Sequence, residues 1–269
     1  MLDIGCWIRH TERTFGVLSG HGVYVIRSVI FDLGGTLLNF DGSARGWRDM
    51  EARGVSALYR HLTGCGHALP EREFEQVTWD TMRLGWQEAM AGRDNACLLA
   101  LLSLAAACFG ISLCGDERMQ AARVYATGVE EGLVPFEGAR EMLQQLKARG
   151  LRLGLLSNTT WPGQFHRQEL ERFGLIEFFD EMAFTCELGV WKPNAGAFHH
   201  VTQRLGVAPA EAVYVGDLPQ IDLFGAQQAG LRTVLMAALP RDLDGVKPDA
   251  IIHHLSELPP ALDQLSCLQ

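Results

Sequence analysis

The sequence predicts an α/β fold: a parallel β-sheet covered by helices, with an all-helical segment inserted after the first strand. From residue 135 onward, short apolar runs alternate with helical patterns, which is typical of a parallel sheet covered on both faces. Residues 39–133, in contrast, carry helical patterns only. We therefore expect an N-terminal extension over residues 1–23, a core formed by 24–38 and 134–269, and a helical insertion over 39–133.

The first strand is predicted where β-branched and aromatic residues are concentrated, at Val25, Ile26, Val29, Ile30 and Phe31. The glycine pair at 34–35 ends this run. Asp32 is then expected at the carboxyl end of a strand, where open α/β sheets bind their ligands. Taken alone, an aspartate before two glycines is also typical of a simple turn.

The insertion contains four helical patterns, separated by glycine-rich breaks, which can bury a core as a small bundle. They cover residues 43–61, 71–90, 96–109 and 116–131. The stretch from Ala96 to Cys114 has nineteen residues without a charge. Because a helix ending near Phe109 is only ~21 Å long, against ~30 Å of hydrocarbon, we expect a buried helix there and no membrane span.

After the insertion, strands and helices alternate to the end of the predicted sheet. The strands are expected at 152–156, 182–185, 212–215, 232–236 and 250–252, and the helices at 138–149, 164–173, 195–205 and 221–229.

Composition narrows the classes of partner. The chain has 269 residues, of which 48% are apolar, and a net charge of −9. This composition is ample for a core, and the acidic balance without a Lys/Arg cluster argues against nucleic acid and anionic membranes as partners.

The cysteines and the N-terminal residues indicate the cellular compartment of the protein. Seven cysteines lie at positions 6, 65, 97, 108, 114, 186 and 267 without a Cys-X-X-Cys pair. Their odd number and scatter predict reduced, buried thiols. Residues 1–21 lack the pattern of a secretory signal, so we expect a cytoplasmic protein.

Three further polar groups follow predicted strands: Ser157-Asn158, Lys192, and Asp217 with Asp222. Each alone is explained by a helix cap, a solvated lysine or a turn. Because the carboxyl ends of parallel strands share one edge, we expect all of them to converge with Asp32. Carboxylates, one lysine and one hydroxyl together are typical of a site for a hard cation and a phosphate.

These motifs resemble those of the haloacid dehalogenase superfamily of hydrolases, in the subfamily I that carries a helical C1-type cap. The resemblance covers roughly residues 25–258 and is carried by Phe31-Asp32-Leu33-Gly34-Gly35-Thr36-Leu37, Leu155-Leu156-Ser157-Asn158, Lys192-Pro193 with Phe198, and Val215-Gly216-Asp217 through Asp222. It implies a Rossmann-like parallel-sheet core with an inserted all-helical cap.

The resemblance also implies roles for the site residues and a function. Asp32 would be the nucleophile that forms an aspartyl-phosphate, with Ser157 and Lys192 as further catalytic residues. The phosphoryl oxygens would be bound by Ser157, Asn158 and Lys192, and Mg²⁺ by Asp32, the Gly34 carbonyl, Asp217 and Asp222. The implied enzyme is a Mg²⁺-dependent phosphatase of a small phosphorylated metabolite, present as a monomer or homodimer.

One position departs from the family pattern. Phosphatases of the family usually carry a second aspartate, the general acid, where this chain has Gly34. Losing such a group typically costs ~10²–10⁴-fold in rate. One alternative is therefore a non-catalytic or weakly active module that binds phosphate and Mg²⁺. Another is a 2-haloacid dehalogenase, which Asp217 and Asp222 disfavour because dehalogenases of the family lack this acidic pattern.

Overall fold

The computed structural model describes residues 25–39, 47–238 and 242–267. The strands are β1 Ser28–Phe31, β2 Leu38–Asn39, β3 Val134–Pro135, β4 Arg152–Ser157, β5 Glu181–Phe184, β6 Ala212–Gly216, β7 Arg232–Met236 and β8 Ala250–Ile252. The helices are α1 Trp47–Gly64, α2 Glu71–Met90, α3 Leu98–Ala107, α4 Gly115–Glu130, α5 Ala139–Ala148, α6 Gly163–Arg172, α7 Thr185–Leu188, α8 Ala195–Leu205, α9 Phe224–Gln228 and α10 Leu258–Cys267.

Six strands form a fully parallel sheet in the order β5-β4-β1-β6-β7-β8, which confirms the predicted fold class. β1 lies between β4 and β6, and Phe31 is in register with Leu155 on one side and Val215 on the other. The loops that leave β1, β4 and β6 therefore begin at neighbouring points of one edge. This register brings the predicted polar groups together.

The central strand β1 is fully buried, and apolar from Val29 to Phe31, because helices cover both faces of the sheet. Val29 and Phe31 belong to one hydrophobic cluster, and Ile30 belongs to a second cluster that includes Phe198 of α8. Alternate residues of a strand face opposite sides of the sheet, so this split is the expected one. One detail of the prediction is wrong: Val25 and Ile26 precede β1, and Val25 is 55% exposed.

Helices α1 to α4 occupy the segment predicted as the insertion and surround a hydrophobic cluster that includes Leu58, Phe74 and Tyr125. Trp161 and Phe165 of the core part also belong to this cluster. The sequence did not predict the antiparallel pair β2–β3, which joins the two ends of this segment through Leu38 opposite Pro135. Among the described residues, no helix is both long and apolar enough to cross a membrane.

The expectation of buried thiols is wrong for the cysteines that the structure describes. Cys65, Cys108 and Cys114 are exposed, and Cys97 and Cys186 are half-buried; all five are free thiols. Apolar neighbours in sequence did not translate into burial, because these residues lie at helix ends and turns. Cys6 and the side chain of Cys267 lie outside the described part of the chain, as do the predicted extension over 1–23 and the predicted helix start at 43–46.

Candidate active site

The loop after β1 is shaped to place Asp32 beside Asp217. The Asp32 N–H donates to the Val215 carbonyl at 2.9 Å, which continues the strand pairing up to the aspartate. Gly35 has a φ of +81°, and a Cβ atom there would lie 2.5 Å from Asp217 Oδ2. Both the left-handed backbone and the close approach require glycine at this position.

Three buried carboxylates meet at the edge of the sheet. Asp32, Asp217 and Asp222 each offer an oxygen, and these oxygens lie within 4.8 Å of one another. The residues are 6%, 5% and 1% exposed, respectively. A compact group of carboxylate oxygens is the ligand set that hard divalent cations such as Mg²⁺ prefer. The donor chemistry of these residues therefore fits such an ion.

Lys192 inserts its ammonium group among the carboxylates. Its Nζ donates to Asp32 Oδ1 at 2.7 Å, to Asp222 Oδ1 at 2.7 Å and to the Tyr214 hydroxyl at 2.8 Å. We call Asp32, Asp217, Asp222 and Lys192 the acidic cluster, because three carboxylates face one ammonium group.

Burial and charge change the proton affinities of this cluster. Burial, with smaller contributions from Asp222 and Asp217, raises the pKa of Asp32 to about 7, while Lys192 opposes the rise. Burial alone would lower the pKa of Lys192, but Asp222 and Asp32 outweigh it and raise that pKa above its ordinary value. The lysine is thus charged at neutral pH. The carboxylates retain an excess of negative charge that a divalent cation would neutralise.

Asn158 holds the loop between α7 and α8 that carries Lys192, which we call the lysine loop. Its side-chain Oδ1 accepts from the Lys192 backbone N–H at 2.9 Å, and its Nδ2 donates to the Lys192 carbonyl at 3.0 Å. This reciprocal pair gives Asn158 a structural task beside the phosphate-binding role expected from the sequence.

The two remaining predicted residues lie on the same edge. Ser157 is the last residue of β4, is 5% exposed, and directly precedes Asn158. Gly34 lies in the loop that leaves β1 and forms an isolated β-bridge with Leu38. The structure therefore brings every predicted site residue to the carboxyl edge formed by β1, β4 and β6 and the lysine loop.

The helical insertion contacts the core next to Lys192. Asn95, between α2 and α3, accepts from Trp191 Nε1 at 3.0 Å and donates to the Cys186 carbonyl at 2.8 Å. The Trp86 and Trp191 rings meet edge to face, with centroids 5.2 Å apart. The insertion thus rests on the loop that carries the lysine.

Sequence reasoning missed Tyr214, which lies in β6 and contacts Lys192. The run Val213-Tyr214-Val215 predicts only a buried strand. The available signal is the hydroxyl itself, since a buried tyrosine usually finds a hydrogen-bond partner for it.

A second buried polar cluster, also missed, lies at the start of α6. His166 Nε2 is 2.8 Å from Thr159 Oγ1, and His166 Nδ1 is 2.7 Å from Glu169 Oε2. The imidazole stacks between Trp161 and Phe184, with ring centroids 5.5 and 5.2 Å away. We call Thr159, His166 and Glu169 the histidine cluster.

Polar and charged groups gathered at the carboxyl edge of a parallel α/β sheet are typical of a ligand-binding or active site in this class of fold. The family model for haloacid dehalogenase-like hydrolases matches residues 26–230, well over half of the chain. This protein belongs to the haloacid dehalogenase-like hydrolase family.

Individual relatives include phosphatases and a dehalogenase. The chain is 40% identical to a glyceraldehyde 3-phosphate phosphatase of Methanopyrus kandleri over 102 residues, which are 38% of this chain and 43% of that protein. It is 26% identical to the phosphoglycolate phosphatase of Escherichia coli, over 88% of this chain and 92% of that protein. The chain spans about half the length of the glyceraldehyde 3-phosphate phosphatases that it matches.

Among solved structures, the 2-haloacid dehalogenase of Pseudomonas syringae superposes with a TM-score of 0.68. It is 25% identical, and the match covers 90% of this chain and all of that protein. Both phosphatases and dehalogenases are therefore represented among similar proteins.

Proposed function

We propose that this protein is a Mg²⁺-dependent phosphatase that hydrolyses a small phosphorylated metabolite through an aspartyl-phosphate on Asp32. The observation that carries the proposal is the acidic cluster: three buried carboxylates within 4.8 Å of one another around a buried lysine. A cation-assisted phosphatase uses this excess of negative charge to bind the cation, whereas an enzyme that releases halide without a metal ion does not require it.

Asp32, Asp217, Asp222 and the Gly34 carbonyl are the groups that would hold Mg²⁺. When bound, the ion would supply positive charge that offsets the repulsion between the carboxylate nucleophile and an anionic phosphoryl group. The rest of the chemistry falls to the chain's own groups.

Asp32 attacks phosphorus, so that a bond from its carboxylate oxygen forms as the bond to the leaving oxygen breaks. Lys192 stays charged and stabilises the phosphoryl oxygens, assisted by the Ser157 hydroxyl and the N–H groups of the loops that follow β1 and β4. Water then attacks phosphorus, the bond between phosphorus and the Asp32 oxygen breaks, and inorganic phosphate and the Asp32 carboxylate are formed while the proton of the water passes to solvent. The loop contact through Asn158 holds Lys192 in place for both steps.

Gly34 lacks the proton that a second aspartate would donate to the leaving oxygen. Phosphates whose leaving group is stable as an anion should therefore react faster than simple alkyl phosphates. Replacing Gly34 with aspartate should raise alkyl phosphate turnover more than aryl phosphate turnover. An unchanged alkyl-to-aryl ratio in a folded Gly34→Asp variant would show that the missing acid does not shape this protein's chemistry.

The helical insertion, residues 39–133, is proposed as a cap over the core formed by 24–38 and 134–269. Its contact through Asn95 and Trp191 supports a role in excluding water from the phosphoryl group. The similarity to glyceraldehyde 3-phosphate phosphatases and to phosphoglycolate phosphatase supports a phosphorylated metabolite as substrate. A reducing, cytoplasmic setting fits the five described free thiols.

Carbon–halogen hydrolysis is the second candidate, favoured by the superposition on the Pseudomonas syringae dehalogenase. A halide leaves as a stable anion, so this reaction would not need the proton that Gly34 cannot donate. In that reaction Asp32 would displace a halide to form an ester, without a metal ion. The two candidates thus share the nucleophile and differ in the need for Asp217 and Asp222.

One screen separates the candidates. The purified protein is assayed against phosphorylated metabolites, aryl phosphate and 2-haloacids, with Mg²⁺ and with EDTA, following phosphate and halide release. We expect phosphate release that depends on Mg²⁺. Halide release that resists EDTA would support the dehalogenase, and binding of Mg²⁺ and phosphate without turnover of any ester would support a regulatory module.

A further inference from the structure

The ammonium group of Lys192 has no spare donor. An ammonium carries three N–H groups. Asp32, Asp222 and Tyr214 each accept one of them, at 2.7, 2.7 and 2.8 Å. A phosphoryl oxygen can therefore bind Lys192 only by replacing one of these three acceptors.

Tyr214 is the acceptor fixed most firmly in the interior. A tyrosine hydroxyl has a single proton to donate and oxygen lone pairs that can accept. That proton is donated to the Leu156 carbonyl at 3.0 Å, which leaves an oxygen lone pair for Lys192. The ring is wholly buried and meets Phe198 edge to face, with centroids 5.0 Å apart.

Asp222 is fixed as well. Its Oδ2 accepts from the Leu218 N–H at 3.0 Å, and the side chain is 1% exposed. Its carboxylate also packs so closely on Gly216 that a Cβ atom there would lie 2.6 Å away. Asp222 and Tyr214 therefore hold Lys192 from the interior, and Asp32, at 6% exposure, is the most exposed of its three acceptors.

We propose that Tyr214 is a positioning residue for Lys192: with Asp222 it anchors the ammonium group, so that the third N–H transfers from Asp32 to a phosphoryl oxygen. This inference rests on the proposed function, because it takes a phosphoryl group as the incoming ligand. Tyr214, a residue of β6 outside the four sequence motifs, would thus contribute to ligand binding and to the rate of phosphoryl transfer.

The hydrogen bond between Tyr214 and Lys192 has a measurable consequence. Removing the hydroxyl leaves one N–H of a buried ammonium without its acceptor, and the ammonium then shifts between the two carboxylates. Tyr214→Phe should lower the affinity for inorganic phosphate and kcat/KM by about tenfold. If Tyr214 has a purely structural role, Tyr214→Phe should instead lower the free energy of unfolding and leave the phosphate affinity and kcat/KM unchanged.

A double-mutant cycle tests whether Tyr214 acts through Lys192. Wild type, Tyr214→Phe, Lys192→Met and the double variant are compared by calorimetric binding of inorganic phosphate in Mg²⁺ and by kcat/KM. We expect Tyr214→Phe to have no further effect once Lys192 is replaced. Additive losses, or full phosphate affinity in Tyr214→Phe, would overturn the inference. Should Lys192→Met not fold, Lys192→Ala, which also removes the ammonium group, completes the cycle.

Tyr125 provides the matched control. It is also a fully buried tyrosine, but it lies in α4 against Trp161. Tyr125→Phe should leave phosphate affinity at the wild-type value in both lysine backgrounds. Failure of the proposed function has a separate signature, since a wild-type protein that neither binds phosphate nor hydrolyses any phosphate ester would overturn the phosphatase and the inference together. Phosphate binding that depends on Lys192 but not on Tyr214 would overturn the inference alone.

Discussion

The acidic cluster and the histidine cluster are both buried, polar and hydrogen-bonded, yet they differ in how many carboxylates they bring together. In the acidic cluster three carboxylates face one ammonium group, which leaves negative charge for an external cation. In the histidine cluster Thr159, His166 and Glu169 each have a partner within the cluster. Burial and hydrogen bonding alone therefore do not identify a site; three carboxylates around one ammonium group at the carboxyl edge of the sheet do.

The histidine cluster has the order of groups found in hydroxyl–imidazole–carboxylate triads, which makes the comparison instructive. The Thr159 hydroxyl, however, already accepts from the Trp161 N–H at 3.0 Å, and the imidazole is enclosed by two aromatic rings. These contacts fix the loop that follows Ser157 and Asn158. We interpret this cluster as a support for that loop.

The largest expected effect is on the nucleophile. Asp32→Asn should lower kcat by roughly 10⁴-fold or more, because an amide cannot form the covalent intermediate. The variant should remain folded, since the amide oxygen can still accept from Lys192. Steady-state kinetics and thermal unfolding measure the two quantities, and wild-type turnover by Asp32→Asn would contradict the covalent mechanism.

Metal binding is the next most sensitive property. Asp217→Asn should raise the Mg²⁺ concentration for half-maximal activity at least about tenfold, because the cluster loses a carboxylate charge. Asp263→Asn is the control, as it removes only a surface ion pair with Arg149. A Mg²⁺ requirement that is equal in both variants would remove Asp217 from the metal site.

Proton binding by Asp32 should make Mg²⁺ affinity depend on pH. The pKa of Asp32 is raised to about 7, so below pH 7 a proton competes with the cation for this carboxylate. Affinity should rise by up to about tenfold per pH unit below 7 and level off above it. Calorimetric Mg²⁺ titrations on both sides of pH 7 check this, and Asp32→Asn should lose the dependence; a flat profile in the wild type would refute it.

The smallest effect on catalysis is expected in the histidine cluster. His166→Gln should lower the free energy of unfolding by about 1–3 kcal/mol, because a buried hydroxyl or carboxylate loses its partner. At saturating substrate, kcat should stay close to the wild-type value. Urea denaturation and kinetics are the measurements, and a loss of kcat comparable to that of Asp32→Asn would make His166 part of the chemistry.

Most of the sheet could be predicted because parallel strands buried on both faces are continuous apolar runs. The strand Arg152–Ser157 and the strand Arg232–Met236 agree with their predictions to within one residue. The pair Leu38–Asn39 and Val134–Pro135 could not be predicted, since two-residue strands carry no periodicity. Helix α10 was also missed because it begins with Leu-Pro-Pro, although proline is tolerated in the first turn of a helix.

The predicted site residues could be brought together from the sequence because each follows a strand, and strand ends share an edge. The partners of Tyr214 and His166 could not be found in this way. Their hydrogen bonds join elements distant in sequence, such as Tyr214 to Lys192, and depend on how helices and loops pack. Sequence patterns therefore located the charges, whereas the positioning contacts around them required the structure.

The most direct test of the phosphatase account is to trap the covalent intermediate. The protein is mixed with its best phosphorylated substrate and Mg²⁺, quenched in acid during turnover, reduced with borohydride and mapped by peptide mass spectrometry. The account predicts a reduced aspartate at position 32 in the wild type and none in Asp32→Asn. Phosphate release without modification at Asp32, or modification at another residue, would contradict it.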